Sequence, residues 1–303
     1  MKITNNFGMP QPFVDFAIND KYSKGKADIS ITSLIDSPRV RIMKNVYDND
    51  IEVDAVDMVW ALFGTAVHSV LEQSNSSKNI INEERLYASH NGWIISGALD
   101  RQEIKNNTAS IIDYKVTSVW SVIYGKPEWE KQLNCYSWLF KKNNTHNQIK
   151  VGSLKICAIL RDWNRRDAER KENYPQAPIV FVDIPIWDDN SIDKYISDRV
   201  SLHQESQVNY DLNADLPLCS DQEMWKKNDT WAVKKKGQKR ALRVLDSEEE
   251  AIKYVEWHDK TDQAYIKKTD LETEHRSGEY TRCGNYCSVA DFCNQYKERS
   301  NDG

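Results

Sequence analysis

Asp113-Tyr114-Lys115 closes a short β-like run at residues 109–115. Strand side chains alternate, so Asp113 and Lys115 share one face and Tyr114 takes the other. A second run, 93–100, ends in Gly97-Ala98-Leu99-Asp100, with Asn106-Asn107 as turn chemistry between the two. An antiparallel hairpin is expected, with Asp100 approaching Asp113. Two carboxylates that close need a cation between them. A hard divalent ion there would acidify water and polarise a phosphate, while Lys115 positioned the water or stabilised developing charge. That is the chemistry of phosphodiester hydrolysis. Taken alone, Asp-x-Lys at a strand end reads far more readily as an ordinary surface ion pair.

The elements around the hairpin supply more of the same chemistry. From 57 to 73 the apolar positions Trp60, Phe63, Val67 and Val70/Leu71 recur at three or four, the period of an amphipathic helix. The opposite stripe carries Gly64, His68 and Glu72, so an imidazole and a carboxylate one turn apart could join the same ion. A helix over 128–142, entered after Pro127, sets Gln132 and Tyr136 one turn apart, within reach of a water and a phosphate. Further strands are expected at 151–160 and 177–187 and a helix at 192–203, which makes a mixed α/β core. Residues 1–29 read as a loose N-terminal arm, 30–210 as the core, and 211–303 as a second lobe. In that lobe Ser247-x-x-Glu250 forms a capping box.

The second lobe ends in Cys283-x3-Cys287-x5-Cys293, and with Cys219 upstream this makes four thiolates from two segments. They suffice for a tetrahedral zinc site or an iron–sulfur cluster, and spacing alone does not choose. Cys135 and Cys157 read as small core residues. Between Lys226 and Arg243 lie eight basic residues, Lys226, Lys227, Lys234, Lys235, Lys236, Lys239, Arg240 and Arg243, against the single acid Asp229. Trp225 and Trp231 are interleaved with them. Basic side chains for phosphates and aromatic faces for bases are what a strand-gripping surface needs.

Gly64-Thr65-Ala66-Val67-His68, Gly97-Ala98-Leu99-Asp100, Asp113-Tyr114-Lys115 and Gln132-Leu133-Asn134-Cys135-Tyr136 stand in the order seen in the RecB-like branch of the PD-(D/E)XK nucleases, which the chain resembles. The resemblance implies a restriction-endonuclease-like α/β core and a Mg2+ or Mn2+ site of His68, Asp100, Asp113 and the Tyr114 carbonyl, with Glu72 as a further ligand. It implies Lys115 as the catalytic lysine, Gln132 as the glutamine that helps orient it, and Tyr136 near the DNA backbone. For the cysteines it implies a [4Fe-4S] cluster on Cys219, Cys283, Cys287 and Cys293. The chain departs from cluster-bearing CRISPR-adaptation relatives in one respect. Their distant Cys precedes the His motif, whereas 33–38 here holds none; the arrangement is closer to phage-encoded nucleases.

Composition sets the outer bounds. The 303 residues carry 41 basic and 46 acidic side chains, net −5, which excludes a protein that coats nucleic acid by bulk charge. Ten Trp and fourteen Tyr within a 40% hydrophobic set are too many for a disordered chain. The longest uncharged apolar stretch, 58–67, is too short to span a membrane, and a cytoplasmic protein is expected. The expected activity is a metal-dependent DNA exonuclease, whose partners are DNA ends and a single-strand annealing or replication protein. The alternatives are an endonuclease on the same fold and a non-catalytic DNA-binding module.

Overall fold

The computed structural model describes residues 1–19, 24–74, 76–144, 149–260 and 270–301. Part of the Lys/Asp-rich stretch expected as a loose arm, 20–23, lies outside them. In chain order the first unit, Met1–Pro217, contains β1 (Lys2–Thr4), α1 (Gln11–Asn19), β2 (Ile29–Ser30), α2 (Ile31–Leu34), α3 (Pro38–Val46) and β3 (Glu52–Asp54). It continues through α4 (Val59–Glu72), β4 (Ile80–His90), β5 (Trp93–Lys105), β6 (Thr108–Thr117), α5 (Val119–Ile123) and α6 (Pro127–Asn143). It closes with β7 (Lys150–Leu160), α7 (Arg165–Ala168), β8 (Ile179–Ile184) and α8 (Asp189–Asp211).

A six-stranded mixed sheet is the frame. β5 pairs antiparallel with β4 on one side and, along its second half, with β6 on the other. β6 runs parallel to β7, and β8 closes the far edge antiparallel to β7. The β5–β6 hairpin turns at Asn106 and Asn107, with φ of 51° and 56°, left-handed values that asparagine tolerates better than most residues. Both strands extend beyond the runs expected from sequence. Between the parallel strands the chain must cross over, and α6 makes that crossing with Trp129, Leu133, Tyr136, Leu139 and Phe140 buried against the sheet. A Cβ on Gly97 would meet the Tyr136 ring at 2.7 Å, so glycine lets α6 sit this close to β5.

Two elements differ from expectation. The segment before Ser30 holds β1, paired in parallel with β3, and α1, whose Val14 and Ala17 pack with Ala55 in a small core of their own. The helix α4 has the expected span but buries no residue, and Trp60, Phe63 and Val70 stand exposed. Its apolar period is real, yet the helix rests on α1 and β6 only through half-buried positions such as Val67 and Leu71.

The second unit, Leu218–Gly303, contains β9 (Thr230–Lys235), β10 (Ala241–Leu245), α9 (Glu248–Lys260), β11 (Leu271–Arg276), α10 (Thr281–Asn285) and α11 (Asn294–Asn301). Its strands form a three-stranded antiparallel sheet in the order β10-β9-β11, covered by α9 through Val233, Ala251 and Leu271. The Glu250 N–H donates to Ser247 Oγ, the first half of the capping box. Among the described residues no helix is long and apolar enough to cross a membrane.

Candidate active site

Hairpin register brings the two carboxylates together. Arg101 pairs with Ile112, so Asp100 and Asp113 stand at the next position on the neighbouring strands. Asp113 is 1% exposed and Asp100 8%. The Tyr114 N–H donates to Asp100 Oδ2 at 2.7 Å, and the Lys115 ammonium lies 2.7 Å from Asp113 Oδ2. From α6, Gln132 Nε2 donates to Asp113 Oδ1 at 3.2 Å and to Tyr136 Oη at 2.8 Å. The carboxylate is thereby clamped from both sides.

His68 enters from α4. Its Nδ1 faces Glu83 Oε1 at 3.2 Å and Asp100 Oδ1 at 3.7 Å, and its Nε2 faces the Tyr114 carbonyl at 3.2 Å. The ring therefore has oxygen acceptors on both nitrogens. The hydrogen bond to Glu83 and the charges of Asp100, Glu83 and Asp113 raise its pKa despite the cost of burial. Burial, and after it the charge of Asp113, pushes Asp100 up to about 7; His68, Lys115 and the Tyr114 N–H pull the other way. For Lys115, burial works against the charged form, but Asp113 and Asp100 outweigh it and the pKa rises. This is a site crowded with carboxylate oxygens and short of positive charge.

The residues fit a hard divalent cation. One ligand atom each from His68, Glu83 and Asp100 lies within 4.8 Å of the others. His68 Nε2 and the Tyr114 oxygen stand 3.2 Å apart, close to the ~3 Å between adjacent ligands on an octahedral ion with ~2.1 Å bonds. Asp113 Oδ2 is buried without a directed hydrogen bond, though the Lys115 ammonium is close. A carboxylate oxygen paired with one ammonium keeps a second lone pair for a further ligand.

The sequence model of the PD-(D/E)XK nuclease superfamily matches residues 67–294, a span that contains three of the four motifs whole and Val67-His68 of the first. The chain belongs to this superfamily. Among solved structures it is similar to SSO0001, with 18% identity and a TM-score of 0.40 over 63% of this chain and 82% of that one. A candidate exonuclease from Eubacterium rectale aligns at 10% identity and a TM-score of 0.27, over 55% of this chain and 56% of that one. No curated protein matches the chain.

Within this PD-(D/E)XK site, His68, Asp100, Asp113, Tyr114, Lys115 and Gln132 come together as one cluster. Glu72 does not join them: it is exposed at the end of α4, outside the His68–Glu83–Asp100 group. Glu83 was not anticipated. It lies opposite Asp100 in the register between Asn82↔Arg101 and Glu84↔Leu99, and its φ of 49° breaks the ladder there. A glutamate in that conformation costs on the order of 1–3 kcal/mol and persists only where its surroundings hold it. Tyr136 joins the cluster through Gln132. It is 5% exposed, packed over Gly97, and holds Gln132 rather than facing solvent.

In the second unit, Cys219 and Cys293 are buried and Cys283 and Cys287 half-buried. The Cys219 backbone is held at both ends by Gln295 of α11, whose Oε1 accepts from its N–H at 2.8 Å and whose Nε2 donates to its carbonyl at 2.7 Å. Burial, then the charges of Cys287, Cys219 and Cys293, pushes the Cys283 thiol up to about 11. Cys219, Cys287 and Cys293 thus lie near Cys283 in space. Cys135 and Cys157 are buried in the first unit. Of the basic segment, Lys234 pairs with Glu274 and Glu272 of β11, whereas Lys236, Lys239 and Arg240 are exposed and Lys235 is half-buried. Trp231 is half-buried beside His275, and Trp225 is exposed beside Tyr286.

Proposed function

We propose that the protein is a Mg2+- or Mn2+-dependent deoxyribonuclease that shortens linear DNA from an end. One observation carries this reading: two buried carboxylates, Asp100 and Asp113, meet at adjacent strand positions beside Lys115, with His68 and Glu83 closing the group. His68, Asp100, Asp113 and the Tyr114 carbonyl would hold the ion, which when bound supplies polarisation of the scissile phosphate and a more acidic water. Glu83 fixes the tautomer and orientation of His68 through Nδ1. Lys115 is the cation placed to orient the attacking water and to stabilise charge growing on the phosphate oxygens. Asp113 holds that ammonium, and Gln132 with Tyr136 holds Asp113.

The end-directed mode follows from the chain's resemblance to the RecB-like branch; the metal cluster itself would serve an endonuclease equally. It is tested by incubating end-labelled linear DNA and covalently closed circles side by side with Mn2+. Progressive shortening of the linear DNA with intact circles is the expected result. Nicking of circles as fast as linear DNA shortens replaces the reading with an endonuclease.

The four cysteines of the second unit are read as the ligands of a [4Fe-4S] cluster. Four thiolates from two segments suit either a tetrahedral zinc ion or an iron–sulfur cluster, and the resemblance to RecB-like nucleases favours the cluster. Exposed Lys236, Lys239 and Arg240, with Lys235 and Trp225, are read as a phosphate- and base-contacting surface. Lys234 supports that surface less, being neutralised by two glutamates, and Trp231 is partly committed to the core.

A further inference from the structure

On α4 the side chain of Trp60 is 54% exposed and that of Phe63 47%, their rings 5.7 Å apart between centroids. The Arg161 guanidinium lies over the Trp60 ring at 4.1 Å. Arg161 follows the end of β7, where its N–H donates to the Thr117 carbonyl, and the adjacent Asp162 accepts from the Val119 N–H of α5. That places α5 beside Arg161, and α5 contributes a second exposed pair, Trp120 and Tyr124, 51% and 79% exposed and stacked with 14° between their planes. The chain then passes through exposed Lys126. Its ammonium is held below the ordinary lysine value by partial burial and next by the positive charges of Arg161 and Lys115, with Glu128 acting the other way.

This surface adjoins the metal-binding cluster along a continuous row. Trp60, Gly64 and His68 follow one another at i, i+4, i+8 on α4, and a Cβ built on Gly64 would meet nothing within 4 Å. The row offers open space between the exposed tryptophan and the histidine. Solitary exposed apolar residues need no explanation, but four large aromatic rings with two cations beside a phosphate-hydrolysing cluster do.

We propose that Trp60, Phe63, Trp120 and Tyr124, with Arg161 and Lys126, form a stacking platform for the unpaired bases of a single DNA strand entering the active site. The charge is complementary to a phosphate backbone. The rings select the strand state, because only unpaired bases present free π-faces; in a duplex those faces are already stacked on each other. Substrate is therefore a single strand or a single-stranded overhang. The inference rests on the nuclease reading for what the held strand is for.

The test is binding, measured by fluorescence anisotropy in EDTA so that no strand is cut. Three labelled probes of equal phosphate number are compared: a single-stranded oligonucleotide, the same strand with abasic positions, and a blunt duplex. Wild-type protein is expected to prefer the base-bearing single strand over the abasic strand by about tenfold or more. In W60A/W120A that preference should fall to within about twofold, and W60F/W120F should restore most of it. Both residues are half exposed, and thermal melts of the variants verify their folding. Equal wild-type binding of base-bearing and abasic strands overturns the platform without reference to any variant. So does an undiminished preference in folded W60A/W120A, or a wild-type dimer by sedimentation that the same variant makes monomeric. Hydrolysis with Mn2+ is scored separately. DNA cleavage without base discrimination removes the platform alone, and base discrimination without cleavage keeps the platform while removing the nuclease reading.

Discussion

Asp100→Asn should make the metal-free protein more stable at pH 8 while abolishing its response to metal. The buried Asp100 carboxyl titrates at about 7 against an ordinary 3.8. Between those values the unfolded chain has released a proton that the folded chain still holds. This group's contribution therefore falls as pH rises from about 4 to about 7 and levels off above. At about 1.4 kcal/mol per pH unit the full cost is about 4 kcal/mol. Asparagine removes the charge but still accepts from the Tyr114 N–H, with a weaker bond than a carboxylate makes. Losing the attraction to His68 and Lys115 offsets part of the gain, which leaves a net of about 1–3 kcal/mol. For a domain the size of the first unit that is about 2–10 °C in Tm. The gap should shrink to less than half by pH 5. Saturating Mn2+ at about 100 times Kd should stabilise wild type by about 2.7 kcal/mol and the variant not at all. Scanning calorimetry at pH 8 and pH 5, with and without Mn2+, reads all four conditions. A variant less stable than wild type without metal at pH 8, or one that keeps the full Mn2+ shift, refutes the reasoning.

Glu83→Gln should weaken Mn2+ binding by about 10- to 100-fold, because His68 loses the carboxylate that fixes its tautomer; isothermal titration measures it, and unchanged affinity would make Glu83 a bystander. Anaerobically purified protein should be brown and contain iron and sulfide, and Cys283→Ser should lose both; stoichiometric zinc without iron would replace the cluster with a zinc site. Neutralising Lys236, Lys239 and Arg240 together should lower the salt slope of DNA binding by about 2–3; an unchanged slope returns the segment to a merely solvated face.

The hairpin that carries Asp100 and Asp113 was legible because its logic is local. Strand alternation places Asp113 with Lys115, a two-residue Asn turn sets the register, and register fixes Asp100 beside Asp113. Glu83 was hidden for two reasons. It sits in the charged run Asn82-Glu83-Glu84-Arg85, which masks β4 as a strand, and its approach to His68 depends on a positive φ that no propensity signals. Glu72 had the right helical spacing, but His68 leans toward β4 and β5 and leaves the end of α4 in solvent. The period of α4 correctly indicated a helix, while which of its rows is covered depends on how α1 and β6 meet it. The packing of the Tyr136 ring over Gly97 was not legible, because nothing in the sequence marks that glycine as the gap that admits it.

On the proposed function, Asp113, clamped between Lys115 and Gln132, is required for metal-dependent phosphodiester hydrolysis. The most direct measurement is the initial rate of release from end-labelled linear DNA by purified Asp113→Asn beside wild type, with Mg2+ and with Mn2+. Asparagine is nearly isosteric and can still accept from Gln132. A folded variant with a rate at least about a thousandfold lower is expected. Cleavage by the folded variant at the wild-type rate would contradict it.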